Sequence, residues 1–345
     1  MNTKIKKIDI TNIDQSIINE AASIIKDGGT VVFPTETVYG LGADALNESA
    51  SKKIYKAKGR PSDNPLIVHI SNKSDLVKIT SNVPEIADKL MEKFWPGPLT
   101  LIFNKSDIVP KGTTGGLNTV AVRMPNHPVA LKLIKESGTC IAAPSANISG
   151  KPSPTTGEHV VEDLDGRVDM IIDSGSVGIG IESTIVDVTS NPPVILRPGY
   201  ITVEMIKEVI GYVSIDNFKE GEKPKAPGMK YRHYAPKADM VIYSGEINKV
   251  IETINFLAKE KQEAGLKVGI IATQESQPLY KYGEVFSIGK RKSEKEIAKN
   301  LYAVLRAFDD MEVDFIISES FSESDLGHAI MNRLVKASSN NIIKI

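Results

Sequence analysis

Ile17-Ile18-Asn19-Glu20-Ala21-Ala22-Ser23-Ile24-Ile25-Lys26-Asp27-Gly28-Gly29-Thr30-Val31-Val32-Phe33-Pro34 reads as a helix, a stop and a strand in succession. Ile17, Ile18, Ala21, Ala22, Ile24 and Ile25 recur at helical spacing, so one face of residues 17–26 is apolar. Gly28-Gly29 ends that helix. Thr30 to Phe33 then has the composition of a buried strand, closed by Pro34. The alternation continues outward, with strands predicted over 66–70, 99–103, 119–123, 140–142, 170–173, 183–188 and 194–196. Helices fit between them over 49–58, 84–94, 128–137 and 202–210. Strands and helices in turn predict an α/β domain over residues 1–212.

From Val213 to Ala238 the periodicity lapses, and Gly221, Pro224, Pro227, Gly228 and Pro236 interrupt any apolar face. A loop of this length is a linker or a functional lid. A second pattern follows over residues 239–345. Strands are expected at 240–243, 267–272, 284–288 and 313–317, and helices at 248–263, 293–310 and 326–338. The expectation is a smaller, Rossmann-like α/β domain.

The 345 residues carry 42 Lys and Arg against 43 Asp and Glu, and a single cysteine. That balance argues against a protein that coats nucleic acid through a broad basic surface. Cys140 alone can form neither an internal disulfide nor a cysteine metal site, which suits a reducing compartment. The first residues lack the apolar stretch of a signal peptide, and no run of about 18 apolar residues exists. The expectation is a soluble, cytoplasmic protein.

No G-x-x-x-x-G-K-[ST] occurs, and Gly175, Gly178 and Gly180 have the wrong spacing for G-x-G-x-x-G. Neither H-E-x-x-H nor paired cysteines suggest zinc. Pro34-Thr35-Glu36-Thr37-Val38-Tyr39-Gly40-Leu41-Gly42 directly follows a buried strand, where ligands of open α/β sheets sit. Two hydroxyls, a carboxylate and a phenol there can orient a small polar ligand; a glycine-terminated turn with capping threonines is the plainer alternative.

Lys52, Lys53, Lys56, Lys58 and Arg60 form a cationic run ending at Gly59 and Pro61. Lys52 and Lys53 fit a solvated helix face. Lys58 and Arg60 lie where the chain must leave the helix, and fixed cations there can hold a polyphosphate. His69 lies within a strand, where a satisfied structural histidine is the simpler reading. Arg123 ends an apolar strand, the position for gripping a carboxylate. The small polar run Ala143-Pro144-Ser145-Ala146-Asn147 lets a ligand approach the backbone, and no G-x-S-x-G makes Ser145 a nucleophile. Ser183-Thr184 and Arg197-Pro198-Gly199 add two more polar strand ends.

Pro34–Gly42, Lys56-Ala57-Lys58-Gly59-Arg60-Pro61, Asn64-Pro65-Leu66, Phe94-Trp95-Pro96-Gly97-Pro98-Leu99-Thr100, Ala143–Asn147 and Leu196–Gly199 together resemble the YrdC-type domain. With Ala226-Pro227-Gly228-Met229-Lys230-Tyr231-Arg232-His233-Tyr234-Ala235-Pro236 and the second α/β region, the chain resembles the long, two-domain L-threonylcarbamoyladenylate synthase family. The resemblance implies a twisted α/β YrdC-like domain plus the smaller Rossmann-like one.

The implied activity joins L-threonine, bicarbonate or CO2 and ATP into threonylcarbamoyl-AMP and diphosphate. It is the first step of N6-threonylcarbamoyladenosine formation at position 37 of tRNA. Such chemistry needs no protein nucleophile, only positioning and charge stabilisation. Implied threonine contacts are Thr37, His69, Arg123, Ala143 and Ser183. Implied nucleotide contacts are Lys58, Arg60, Asn64, Thr119, Ser145, Ser153, Arg197, Tyr231 and His233, with Lys58 and Arg60 stabilising phosphate charge. Mg²⁺ would arrive with ATP, without a protein cage or an organic cofactor. The implied partner is the tRNA threonylcarbamoyl transferase, with neither membrane nor stable nucleic-acid binding required. An RNA-binding or ribosome-maturation factor of YrdC type is the alternative. Carbamoyl transfer in hydrogenase maturation uses a related domain but adds acylphosphatase-like and zinc-finger segments that this chain lacks.

Overall fold

The computed structural model describes residues 2–216, 226–227 and 233–345. Two units emerge from its contacts. The first comprises Met1–Ser149, Ser153–Gly178 and Glu182–Tyr231; the second comprises Gly150–Pro152, Ile179–Ile181 and Arg232–Ile345.

The strands of the first unit are β1 (Lys4–Lys7), β2 (Val31–Phe33), β3 (Gly40–Asp44), β4 (Ile67–His69), β5 (Leu99–Asn104), β6 (Thr119–Arg123), β7 (Ile141–Ala142), β8 (Met170–Asp173), β9 (Thr184–Asp187), β10 (Val194–Arg197) and β11 (Ser214–Ile215). They form one mixed sheet in the order β1-β8-β2-β3-β7-β4-β6-β5-β9-β10-β11. Its helices are α1 (Gln15–Lys26), α2 (Glu48–Lys58), α3 (Leu76–Ile79), α4 (Glu85–Phe94), α5 (Pro128–Ser137), α6 (Gly157–Leu164) and α7 (Val203–Ile210).

Local chemistry sets these boundaries. The Asp14 side chain accepts from Ser16 N at 2.9 Å and starts α1. Asn47 caps α2, which ends at Gly59 in the left-handed region, φ 60°. Pro128 opens α5 and Gly138, φ 64°, closes it. Side-chain alternation then divides the sheet between two faces. One face buries Val32, Leu41, Val68, Leu101 and Val122 against Ile54, Leu90, Leu164 and Ile206 of the helices. On the other, Val31, Phe33, Ile141 and Met170 meet Ile18, Ile25 and Leu133 of α1 and α5.

β1, β3, α6 and β11 are among the elements that departed from the sequence expectation. β1 is wholly exposed and has no apolar face of its own; it exists through its parallel ladder to β8. Residues 40–42, the end of the Pro34–Gly42 segment for which a glycine-terminated turn was the plainer alternative, belong to β3, antiparallel to β2. A Cβ on Gly42 would lie 2.7 Å from both Ile141 Cγ2 and Phe33 Cε1, so two glycines inside a strand reflect close packing. α6 was unforeseen because it is only 8 residues, about two turns, capped by the Thr156 hydroxyl. Within the segment expected as a linker, Ser214–Ile215 pairs with β10.

The second unit holds β12 (Asp239–Ser244), β13 (Val268–Ala272), β14 (Glu284–Ser287), β15 (Phe315–Glu319) and β16 (Ile342–Lys344), with α8 (Ile247–Glu263), α9 (Glu294–Asp310) and α10 (Asp325–Ala337). All its ladders are parallel, in the order β14-β13-β15-β12-β16. The expected parallel, Rossmann-like α/β pattern is present, with β15 between β13 and β12. At the end of β15 the buried Glu319 accepts from the Tyr280 hydroxyl at 2.7 Å and pairs with Arg291. No helix among the described residues is long and apolar enough to cross a membrane.

Candidate active site

β4 and β6 run parallel with His69 opposite Arg123, and Thr100 of β5 opposes Arg123 from the other side. Period-two alternation puts Ile67, His69, Thr119, Ala121 and Arg123 on one face. The apolar floor of that face is Ile67, Ile102, Ala121, Ile185 and Leu196. Its one buried non-strand member among the described residues is Ala226, from the segment expected to act as a lid.

Arg123 anchors the polar end of this floor. Its guanidinium is buried and donates from Nε to Gly97 O at 3.3 Å and from Nη1 to Thr37 Oγ1 at 2.9 Å. Nη2 lies 2.7 Å from Glu36 Oε1. Thr37 is held in turn by a tight side-chain turn: its hydroxyl is 2.9 Å from that of Thr35, which donates to Val38 O at 2.6 Å. The β2–β3 connection therefore presents Thr37 and Glu36 to a cation delivered by β6.

His69 is buried, with Nδ1 3.2 Å from Ile67 O and its ring edge-on to Phe33 at 6.1 Å. Burial, then the Arg123 charge, hold its pKa down to about 3. The imidazole is thus neutral at physiological pH. Donation from Nδ1 to the carbonyl leaves Nε2 as the acceptor. Ala143 follows β7, donates its N–H to Ile67 O at 2.8 Å, and sits 3.4 Å from where a Cβ on Gly40 would be. Ser183 joins from β9's start: its hydroxyl is 2.7 Å from Thr100 Oγ1, and Arg197 donates to its carbonyl at 2.9 Å. A Cβ on Gly199 would meet Thr184 N at 2.4 Å, which explains the glycine behind this contact. Thr37, His69, Arg123, Ala143 and Ser183 are thereby linked through direct contacts and strand register.

The residues implied for the nucleotide are placed as follows. Thr119 and Arg123 lie at opposite ends of β6, about 13 Å apart at strand rise. Lys58, the last residue of α2, donates Nζ to Ser145 O at 2.5 Å, to Asn147 O, and to Asn147 Oδ1 at 3.3 Å. It binds the Ser145–Asn147 loop, whose Ala146 N–H donates to Tyr39 O at 2.8 Å. Arg60 leaves the helix through Gly59 and donates Nη2 to Pro65 O at 3.1 Å, beside the buried Asn64. Ser153 donates to Glu182 Oε1 at 2.5 Å. Arg197 Nη1 lies 3.5 Å from Pro227 O. Tyr231 lies outside the described residues. His233 belongs to the second unit, its ring 5.6 Å from that of Tyr234.

The Tyr39 phenol has a structural use instead of orienting a ligand. It donates to Gly175 O at 2.6 Å and accepts from Ser174 N at 3.0 Å, and burial pushes its pKa up to about 12. Gly97 and Thr100 were read in sequence only as part of the motif at residues 94–100, with no site role. The Gly97 carbonyl and the Thr100 hydroxyl acquire their roles only through pairing of β5 with β6 and β9.

Two family models match the chain. One, described as Telomere recombination, covers residues 23–199, and one described as Threonylcarbamoyl-AMP synthase, C-terminal domain, covers residues 201–339. The chain is 51% identical to a threonylcarbamoyl-AMP synthase of Bacillus subtilis, over 100% of both chains. It is also 51% identical to that of Pyrococcus abyssi, over 96% of this chain and 97% of the relative. Among solved structures, P. abyssi Sua5 complexed with L-threonine matches with a TM-score of 0.94 and 49% identity, covering 99% of this chain and 100% of that one.

Proposed function

The chain belongs to the two-domain threonylcarbamoyl-AMP synthase family, and from that premise we propose how its residues divide the substrates between them. The activity is formation of threonylcarbamoyl-AMP, the first step toward N6-threonylcarbamoyladenosine in tRNA. Threonine binds at the Arg123 end of the floor, ATP along the face toward Thr119, and bicarbonate between them. The observation that carries this reading is the buried Arg123 guanidinium, braced by Thr37 and Gly97 beside a neutral His69.

Arg123 grips the substrate carboxylate through its fork, the Nη2 edge that now faces Glu36 included. Thr37 fixes the plane of the guanidinium. Ser183 and Ala143 bound the substrate side chain, the small alanine leaving room for it. A neutral His69 offers an acceptor next to a cation without adding charge repulsion.

Once the ammonium of bound threonine has released its proton, the free amine attacks the bicarbonate carbon, and the bicarbonate hydroxyl leaves as water with an amine proton, giving the carbamate. A carbamate oxygen then attacks the α-phosphorus as the bond to diphosphate breaks. Negative charge grows on the phosphates, so Lys58, Arg60 and Arg197 stabilise the transition state as preorganised cations. Asn64, Ser145, Ser153 and Thr119 position the nucleotide, and Tyr231 and His233 are proposed as further nucleotide contacts. Because the proposed phosphate ligands are cationic, Mg²⁺ accompanying ATP would be held by phosphate oxygens and water, where it neutralises charge. Ala226 is buried on the apolar floor, and residues 217–225 and 228–232 of the expected lid lie outside the described residues. A reaction that consumes ATP and supplies the tRNA-modifying transferase belongs in the cytoplasm.

The test is isotope exchange between labelled diphosphate and ATP, with threonine and bicarbonate supplied together or singly. Exchange that requires both supports the assignment; exchange without threonine contradicts it.

A further inference from the structure

Glu36 and Arg123 face each other at the polar end of the floor with 14% and 5% of their side chains exposed, Oε1 2.7 Å from Nη2. The pair is charge-matched but poorly aligned. Both Glu36 oxygens are buried and accept no hydrogen bond, and Nη2 donates none. Buried charges in native proteins are normally paired and hydrogen-bonded, because desolvation is otherwise uncompensated. Here two opposite charges stand side by side with hydrogen-bonding capacity unspent, at the mouth of a site read as one for a free amino acid.

A free α-amino acid is a zwitterion, with a carboxylate and an ammonium on the same carbon. We propose that Glu36 recognises the α-ammonium of the substrate. The incoming carboxylate takes Glu36's place on Arg123, and the ammonium takes Arg123's place at Glu36. Each protein charge stands in for one substrate charge until the exchange. His127, at the start of α5, also feels Glu36. Burial holds its pKa below the ordinary imidazole value despite Glu36's opposing pull, so it does not compete as a cation at neutral pH.

This arrangement sets specificity. A guanidinium clamp alone admits any small hydroxycarboxylate, whereas a buried carboxylate beside it penalises a ligand without an ammonium by being left unpaired. The inference rests on the threonine reading of the cleft and adds the residue that tells an amino acid from its des-amino analogue.

Calorimetric titration at pH 7.5 with L-threonine and with (R)-3-hydroxybutyrate, on wild-type protein and Glu36→Gln, tests it. A hydrogen bond to a charged group is worth about 1.5–3 kcal/mol, so threonine affinity should fall about 10- to 100-fold in the variant. Affinity for 3-hydroxybutyrate should hold or rise, since a neutral amide no longer competes for Arg123. Unchanged threonine binding, or an equal loss for both ligands, overturns the proposal alone. Wild-type protein that binds no threonine removes the reading of the cleft and this proposal with it. Should Glu36→Gln fail to fold by circular dichroism, Glu36→Asp keeps the charge and should keep the preference for threonine over 3-hydroxybutyrate. Loss of that preference in a folded Glu36→Asp also overturns it.

Discussion

His69 and Arg123 are register partners on adjacent parallel strands, so a neutral imidazole and a buried guanidinium project side by side from one sheet face. The ladder, rather than a loop, fixes this juxtaposition. A site built this way gains its precision from backbone hydrogen bonds that the remainder of the domain stabilises.

The same burial makes His69 a source of acid sensitivity. Its folded pKa is about 3, against an unperturbed value of 6.5. Between those values the unfolded chain binds one more proton than the folded one. Stability from this group is therefore complete above about pH 6.5 and is lost as pH falls toward 3, by at most about 1.4 kcal/mol per pH unit. Urea unfolding at pH 7 and pH 5 should show a smaller loss for His69→Gln than for wild type. Equal losses would contradict a buried neutral histidine.

Replacing Arg123 by lysine keeps the charge but removes the fork that meets Gly97, Thr37 and the substrate carboxylate together. Threonine affinity should fall about 10- to 100-fold, as for loss of a charged hydrogen bond. ATP affinity should be nearly unchanged. Comparable losses of both ligands in binding titrations would mean that Arg123 does not belong to the threonine end.

Arg60→Ala should lower turnover by about 10²-fold at saturating ATP and threonine, as expected when one preorganised group is withdrawn from developing charge. Lys58→Met should also cost stability. The Ser145 and Asn147 carbonyls that Lys58 serves would lose a donor, at about 1–3 kcal/mol for an unsatisfied buried group. Thermal unfolding measures that cost, and Arg60→Ala, which withdraws Nη2 from the Pro65 carbonyl, should lower the melting temperature as well.

Two glycines predict opposite kinds of cost. Gly138→Ala meets nothing within 4 Å and carries only the left-handed penalty of φ 64°, about 1 kcal/mol. Gly42→Ala forces a Cβ to within 2.7 Å of Phe33 and Ile141 in the packed layer beside the site, costing about 1–3 kcal/mol. Gly42→Ala should also depress activity, and Gly138→Ala should not. Equal activity loss in both would sever the link between this packing and the cleft.

Elements that carry their own apolar period were legible from sequence: α1, β6 and the helices of the second unit fall where Ile, Val and Leu recur. β1 was not, because Lys4-Ile5-Lys6-Lys7 has no buried face and depends on β8 for its existence. β3 was hidden by glycines whose purpose is contact with Phe33 and Ile141. In the site, Arg123 was visible as a cation ending an apolar strand. Its union with Thr37 spans 86 residues and needs the sheet to form. The Pro34–Gly42 motif showed a carboxylate between two threonines but not its direction. Tyr39, in the same motif, turned to Gly175 and Ser174.

The central claim, a threonine- and bicarbonate-dependent attack on the α-phosphorus of ATP, is tested most directly by diphosphate release from ATP with each co-substrate omitted in turn. Release should require both L-threonine and bicarbonate and should fall in Arg123→Lys through a raised KM for threonine. Diphosphate release that proceeds at the full rate without threonine would contradict it.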